Sequence, residues 1–181
     1  MKVGAATQSD LPQILNLQRQ NLPGVLCQEE MNREGFVTVE HDLEVLSAMN
    51  LKHPHTVAKV EDQVIGYALA MHTSFMDHVD ILKPMFTKIE QVLKFIDPDD
   101  PLNYIVMGQI CIAKGYRGQG LFTLLYNDLK QRLSDQYEQI ITEVDMKNTR
   151  SIAAHHKHGF EIIHTYEQGT ITWQLLSWKW Q

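Results

Sequence analysis

The run Ile110-Cys-Ile-Ala-Lys-Gly-Tyr-Arg-Gly-Gln-Gly-Leu-Phe-Thr-Leu-Leu-Tyr126 decides how the chain is read. It belongs to a β-branched, apolar stretch from Tyr104 to Ala113. Three glycines and one arginine then fall between Gly115 and Gly120. Beyond them Leu121, Leu125 and Leu129 recur at helical spacing, with Phe122, Tyr126 and Leu133 beside them. Strand, glycine-rich turn and helix in that order make an anion site. Glycines let the backbone approach a ligand closely, and the first turn of the helix adds free N–H groups and the positive end of its dipole. Arg117 adds a forked cation suited to a phosphate or pyrophosphate.

Two common phosphate motifs fail on these residues. Gly115 and Gly120 have P-loop spacing, but Leu121-Phe122 stands where Lys-Ser/Thr is required. A dinucleotide fingerprint needs its close glycine pair first and a third glycine later, and Leu124-Leu125 carries the helix on without one. A nucleotide-dependent oxidoreductase or NTPase is thereby disfavoured. The pattern that fits is Arg-x-x-Gly-x-Gly/Ala, with Arg117 and Gly120 in place and Phe122 replacing the last small residue. On these residues the stretch resembles the acyl-CoA pyrophosphate loop of the GCN5-related N-acetyltransferase (GNAT) superfamily.

A second stretch, Val144-Asp-Met-Lys-Asn148-Thr-Arg-Ser151-Ile-Ala-Ala-His155-His-Lys-His-Gly159-Phe160, is similar to a second pattern of the same superfamily, Val-x-x-x-Asn-x-x-Ala/Ser-x-x-x-Tyr-x-x-x-Gly-Phe. Asn148, Ser151, Gly159 and Phe160 match, and His155 stands at the tyrosine position. The resemblance implies acetyl-CoA as cosubstrate. Ile110 and Ile112 should offer backbone groups to the pantetheine arm. The amides of Arg117, Gly118, Gln119, Gly120, Leu121 and Phe122 should cradle the pyrophosphate, and Asn148 and Ser151 should bond the other side of the cofactor. The family tyrosine protonates the departing thiolate, so His155 becomes the candidate general acid. Its ordinary pKa of about 6.5 lies below the about 10 of tyrosine. Asn148 also reads as a helix N-cap, and Gly159-Phe160 as a C-cap glycine and a core aromatic.

The rest of the chain agrees with one such domain. Its 181 residues suffice for a single buried core, with 44% hydrophobic and 21% charged residues. A net charge of −6 argues against nucleic acid as a partner. Two cysteines without a framework, no signal peptide and no membrane-length apolar run favour a reducing, cytoplasmic setting with no membrane partner. Residues 1–6 read as a strand, and Ser9 or Asp10 caps a helix carrying Leu11, Ile14, Leu15 and Leu22. A loop is expected to about Thr38, then a helix with Val39, Leu43 and Leu46 on one face. Thr56–Val60 and Val64–Met71 read as a hairpin in which Gly66 marks a bulge or a close approach. Within Thr73–Pro101, Met85, Phe86, Ile89, Val92, Leu93 and Ile96 keep helical spacing, giving an amphipathic helix that can also wall an acceptor site. A strand at Gln139–Met146, a helix at Asn148–His158 and a hairpin from Glu161 to Trp180 complete the chain.

The fold class expected is α/β (α+β), a GNAT-like acyl-CoA N-acyltransferase fold. In it a mixed, mostly antiparallel sheet of about six to seven strands carries about four to five helices. It forms one domain over residues 1–181, with an extra helical insertion at about 73–101. The function expected is acetyl transfer from acetyl-CoA to a primary amine of a small molecule or peptide, the alternative being an acyl-CoA-binding or sensing module. His155, His156 and His158 lack a carboxylate or cysteine at ligand spacing, so no metal is expected. Glu143, Asp145, Tyr104 and Gln109 lie near the place for a general base, and no motif chooses among them. The acceptor is not legible, and a homodimer is left open.

Overall fold

The computed structural model describes residues 1–76, 82–99 and 103–180. Its elements in order are β1 (Lys2–Ala5), α1 (Leu11–Arg19), α2 (Gln28–Glu34), α3 (Leu43–Lys52), β2 (Thr56–Val60), β3 (Gln63–Met71), α4 (Lys83–Ile96), β4 (Tyr104–Ile112), α5 (Leu121–Leu133), β5 (Gln139–Asp145), α6 (Thr149–His158), β6 (Glu161–Gln168) and β7 (Ile171–Lys179). The strands form one sheet in the order β1-β2-β3-β4-β5-β7-β6, with β4–β5 parallel and the other pairings antiparallel. Of the insertion expected at 73–101, residues 77–81 and 100–101 lie outside the described residues.

Period-2 patterning divides the core into two layers. On β3, Tyr67, Leu69 and Met71 face the layer containing α1 and α4, while Ala68 and Ala70 face α5. The small residues on that second face let the buried stripe Leu121, Leu125, Leu129 and Leu133 settle close to the sheet. Gly66 serves both roles read for it. The β2–β3 register shifts beside it, and a Cβ there would lie 3.3 Å from the Cys111 carbonyl and 3.5 Å from Leu125.

One helix was not anticipated. Residues 28–34 coil into α2 although none of them is buried. Gly35 ends it at φ 79, a conformation that favours glycine. The next helix starts later than the apolar spacing predicts, because the Asp42 carboxylate accepts from Val45 N–H and caps α3 there. Val39 thus lies in the connecting segment.

The feature that makes a site is the parting of β4 from β5. They pair only from Tyr104 to Val106 against Gln139 to Ile141. The β3–β4 register then shifts between Leu69 and Ala70, leaving Gly108 as an extra residue on β4, while β5 stays paired with β7 as far as Asp145. A bulge of this kind bends its strand. The result is a wedge opening toward the C-terminal ends of both strands.

Candidate active site

The glycine loop closes one end of the wedge. Gly118 and Gly120 hold φ values of 73 and 80, and a Cβ added at either would meet nothing within 4 Å. That open space is what a group laid against the loop requires. Gly120 is the N-cap of α5, so the amides of Leu121, Phe122 and Thr123 have no intrahelical partner. Phosphate oxygens suit such a helix terminus. Gln119 turns back, its Nε2 donating to the Gly115 carbonyl at 3.1 Å.

The Arg117 guanidinium, read from the motif as a forked cation for phosphate, is engaged by protein groups. Its guanidinium donates to the Ile112 carbonyl at 2.8 Å, to Glu34 at 2.8 Å and to the Asn21 side chain at 2.6 Å. These bonds tie the loop to α2 and the end of α1, and they hold the Glu34 carboxyl below its usual range. The bulk of Phe122 is accommodated too. Its ring packs against Tyr126 and His155, each at 5.0 Å between centroids, filling the gap between α5 and α6.

Asn148 caps α6 as expected, its Oδ1 accepting from Ser151 N–H at 3.3 Å, while its Nδ2 donates to the Phe36 carbonyl at 2.8 Å. That second bond belongs to a strap, residues 36–41, laid across the wedge. Gln109 donates to the Val39 carbonyl, Gln18 accepts from His41 N–H, and Val37 N–H donates to the Asn21 carbonyl. Gln18 and Gln109 are joined at 2.6 Å, and Tyr67 donates to the same Gln109 oxygen. Gln109 is therefore committed to the strap.

His155 is 1% exposed. Its Nδ1 lies 2.8 Å from the Ser151 carbonyl and must donate there, so Nε2, 2.7 Å from the Tyr126 hydroxyl, accepts. Burial pushes its pKa down to about 4. The ring is thus bonded on both sides, to the Ser151 carbonyl of its own helix and to Tyr126 of α5, and it lines the space between β4 and β5.

Three adjoining spaces follow the wedge. The first, between the glycine loop and α6, is lined by Gly118, Phe122, Ile110, Ile112 and Ser151. The second runs between β4 and β5, past Gly108, Ile110, Glu143 and Asn148. The third, about 250 Å³, opens beyond Met107, Gly108 and Glu143 toward Leu82 and Met85 at the start of α4. A larger cavity of about 500 Å³ lies elsewhere, where α4 and α6 end near Ile96 and Gly159. Helix C-termini disfavour anions, and it does not adjoin the wedge.

Of the four residues near the place for a base, Tyr104 is 2% exposed in the fully paired part of β4. The Asp145 Oδ1 accepts from Lys147 N–H. Glu143 alone reaches both the wedge and the third space. Burial raises its pKa to about 7, and the hydrogen bond from the Tyr166 hydroxyl works in the opposite direction. Nothing local marked it, since Tyr166 lies two strands away across β7.

Cys111 points away from this groove into the α1 layer, while Ile110 and Ile112 pack with the α5 layer. Burial pushes its thiol up to about 11. Bulky thiol reagents are therefore expected to modify Cys27, which is exposed, well before Cys111. Mass spectrometry of timed labelling checks this, and rapid Cys111 labelling blocked by acetyl-CoA would place the thiol in the groove.

Residues 11–160 match the acetyltransferase (GNAT) family, and the chain belongs to that family. It is an acyltransferase, and acetyl-CoA is its cosubstrate. Solved structures of similar fold include the ribosomal-protein-S18-alanine N-acetyltransferase from Escherichia coli (12% identity, 98% of this chain and 92% of that one, TM-score 0.62). A ribosomal-protein-alanine N-acetyltransferase from Brucella melitensis is 20% identical over 99% of both chains, with a TM-score of 0.61. The yncA protein from Salmonella typhimurium, solved with its cofactor acetyl-CoA, is 15% identical over 100% of this chain and 94% of that one, with a TM-score of 0.63. No curated protein matches the chain. Among the described residues no helix is long and apolar enough to cross a membrane.

Proposed function

We propose that the protein moves the acetyl group of acetyl-CoA to a primary amine of a small molecule or peptide, by direct attack while both substrates are bound. The observation that supports this is the continuity of the three spaces. The glycine loop and the wedge meet a separate pocket at Gly108 and Glu143, so donor and acceptor have distinct entrances and one meeting point. Holding two reactants in register this way removes much of the entropic part of a bimolecular barrier.

In this reading the free edge of β4 at Ile110 and Ile112 takes the pantetheine arm. The amides from Gly118 to Phe122 hold the pyrophosphate, Arg117 fixes the loop from behind, and Ser151 with the Asn148-capped helix lines the other side. His155 holds α6 against α5 through Tyr126, and the departing thiolate takes its proton from solvent. Residues 1–181 act as one domain, with the helical insertion at about 73–101 supplying part of the acceptor wall.

Calorimetric titration with acetyl-CoA, followed by thiol detection of CoA release across a panel of primary amines, tests the proposal. Saturable binding and amine-dependent release with a matching N-acetyl product are expected. Binding without release would favour an acyl-CoA sensor, and binding of NADH or ATP in place of acetyl-CoA would overturn both.

A further inference from the structure

We infer that the pocket beyond the wedge accepts a small primary amine carried on an uncharged apolar body, and that the Glu143 carboxylate receives its ammonium group and takes its proton. This rests on the acyl-transfer reading above.

Size and lining specify the acceptor. About 250 Å³ lies just below the range of about 300–1,000 Å³ typical of drug-sized ligand sites, so a compact ligand fits. Met71, Met85 and Met107 supply unbranched side chains that mould to irregular apolar shapes, and Leu82 and Trp173 add rigid walls. No lysine or arginine occurs among the described residues lining the pocket. A carboxylate or phosphate on the acceptor would be desolvated there without a partner, at high cost. Among the described residues Glu143 is the one carboxylate in that lining, so a cation is favoured and an anion repelled.

The surroundings of Glu143 suit proton transfer. Tyr166 donates to Oε2, which leaves Oε1 for the ammonium group. His41 lines the same pocket and stays neutral, its pKa pushed down to about 4 by burial, with Nδ1 accepting from Gln18. Lys88 of α4 stands over the Tyr166 ring at 5.4 Å, and His164 stacks on that ring at 6.1 Å. Asp145, two residues along β5, is engaged by the Lys147 amide. A carboxyl raised to about 7 is matched to a base working at neutral pH.

The step balances as follows. The bound ammonium gives one proton to Glu143, and the freed lone pair forms the N–C bond to the acetyl carbonyl carbon. The C–S bond breaks and sulfur keeps its electron pair. A second N–H proton passes through solvent to that sulfur, and Glu143 returns its own proton to bulk water. The products are the N-acetyl amine, CoA thiol and one released proton.

The test uses the full chain with 2-phenylethylamine, hexylamine, aspartate and a free-N-terminal hexapeptide. Each is titrated calorimetrically in the presence of CoA and assayed by CoA release from pH 6 to 9. The two apolar amines should bind and turn over at least about tenfold better than the others, since each 1.4 kcal/mol of unpaired-charge cost is tenfold. Glu143→Gln should lower turnover by about 10²–10⁴-fold and erase the acidic limb near pH 7, with acetyl-CoA affinity unchanged. Tyr166→Phe, which keeps the ring, should move that limb to higher pH because it removes a bond that favours the charged carboxylate. Preference for aspartate or the peptide would overturn the acceptor class while leaving acetyl transfer intact. A Glu143→Gln enzyme with wild-type rate and pH profile would overturn the base. Absence of acetyl-CoA binding in the wild type would instead remove the underlying reading.

Discussion

Between pH 7 and pH 4 the protein is expected to lose most of its stability and unfold. Among the described residues His41, His55 and His155 are the most deeply buried histidines, held as neutral rings. Burial pushes His41 and His155 down to about 4 and His55 down to about 3. His55 has no room to adapt, being 0% exposed with Nε2 donating to the Leu46 carbonyl. In the unfolded chain all three titrate near 6.5. The unfolded state therefore binds more protons than the native state between 6.5 and 4, and stability falls with pH through that window. At about 1.36 kcal/mol per pKa unit, each histidine costs about 3 kcal/mol or more. Three such costs rival the whole stability of about 5–15 kcal/mol of an ordinary domain. Glu143 acts the other way. Its pKa is about 7 in the fold against 4.5, so its protonation favours the native state as pH falls, and this offsets about one histidine. Asp10 is raised by burial but held lower overall by Thr7 and Lys59, and it contributes only at still lower pH. Circular dichroism and tryptophan fluorescence from pH 8 to 3.5 should show a cooperative transition, and His41→Gln should move it to lower pH. Urea unfolding energies that stay flat from pH 7 to 4.5 would contradict this account.

What the sequence made legible was local. The strand, glycine loop and helix from Tyr104 to Leu133 could be read because apolar periodicity and glycine placement act within a few residues. The cap at Asn148 and the stop at Gly159 were readable for the same reason. Seven strands with one parallel pair agree with the sheet that the resemblance implies. Contacts distant in sequence were not readable. The partner of Arg117 lies 83 positions away at Glu34, so a motif arginine looked free for phosphate. Helix α2 has no apolar stripe, and Lys114 and Arg117 hold it to the glycine loop through Glu30 and Glu34. Gln18 and Gln109 lie 91 positions apart, and neither residue type signals that they pin a strap. His155 sits at a familiar position, but its chemistry is set by Tyr126 on another helix. Glu143 acquires its raised pKa from burial in the assembled fold, and its partner Tyr166 lies 23 positions away on β6.

Gly120→Val is expected to weaken acetyl-CoA binding by at least about 100-fold while the protein still folds. Nothing lies within 4 Å of a Cβ at this position, so the added side chain meets no protein atom and stands in the space over the amides that open α5. Losing two hydrogen bonds to a charged phosphate, at about 1.5–3 kcal/mol each, is enough for that fold-change. The backbone adds a second effect. At φ 80 a β-branched residue is strained by about 1–3 kcal/mol, which the loop can relieve only by turning its amides out of line. Gly115→Val separates the two contributions. Gly115 also has open space at its Cβ but no positive φ, and it precedes the turn that feeds the helix. Its variant should bind acetyl-CoA within a few-fold of wild type. Gly118→Ala, at φ 73, adds backbone strain with a minimal side chain and should fall between them. Calorimetric titration of the three variants, with melting curves to establish that each is folded, reads the order directly. Wild-type affinity in folded Gly120→Val would move the pyrophosphate away from this loop, and equal losses at Gly115 and Gly120 would mean that bulk anywhere in the turn, rather than the amides at the start of α5, decides binding.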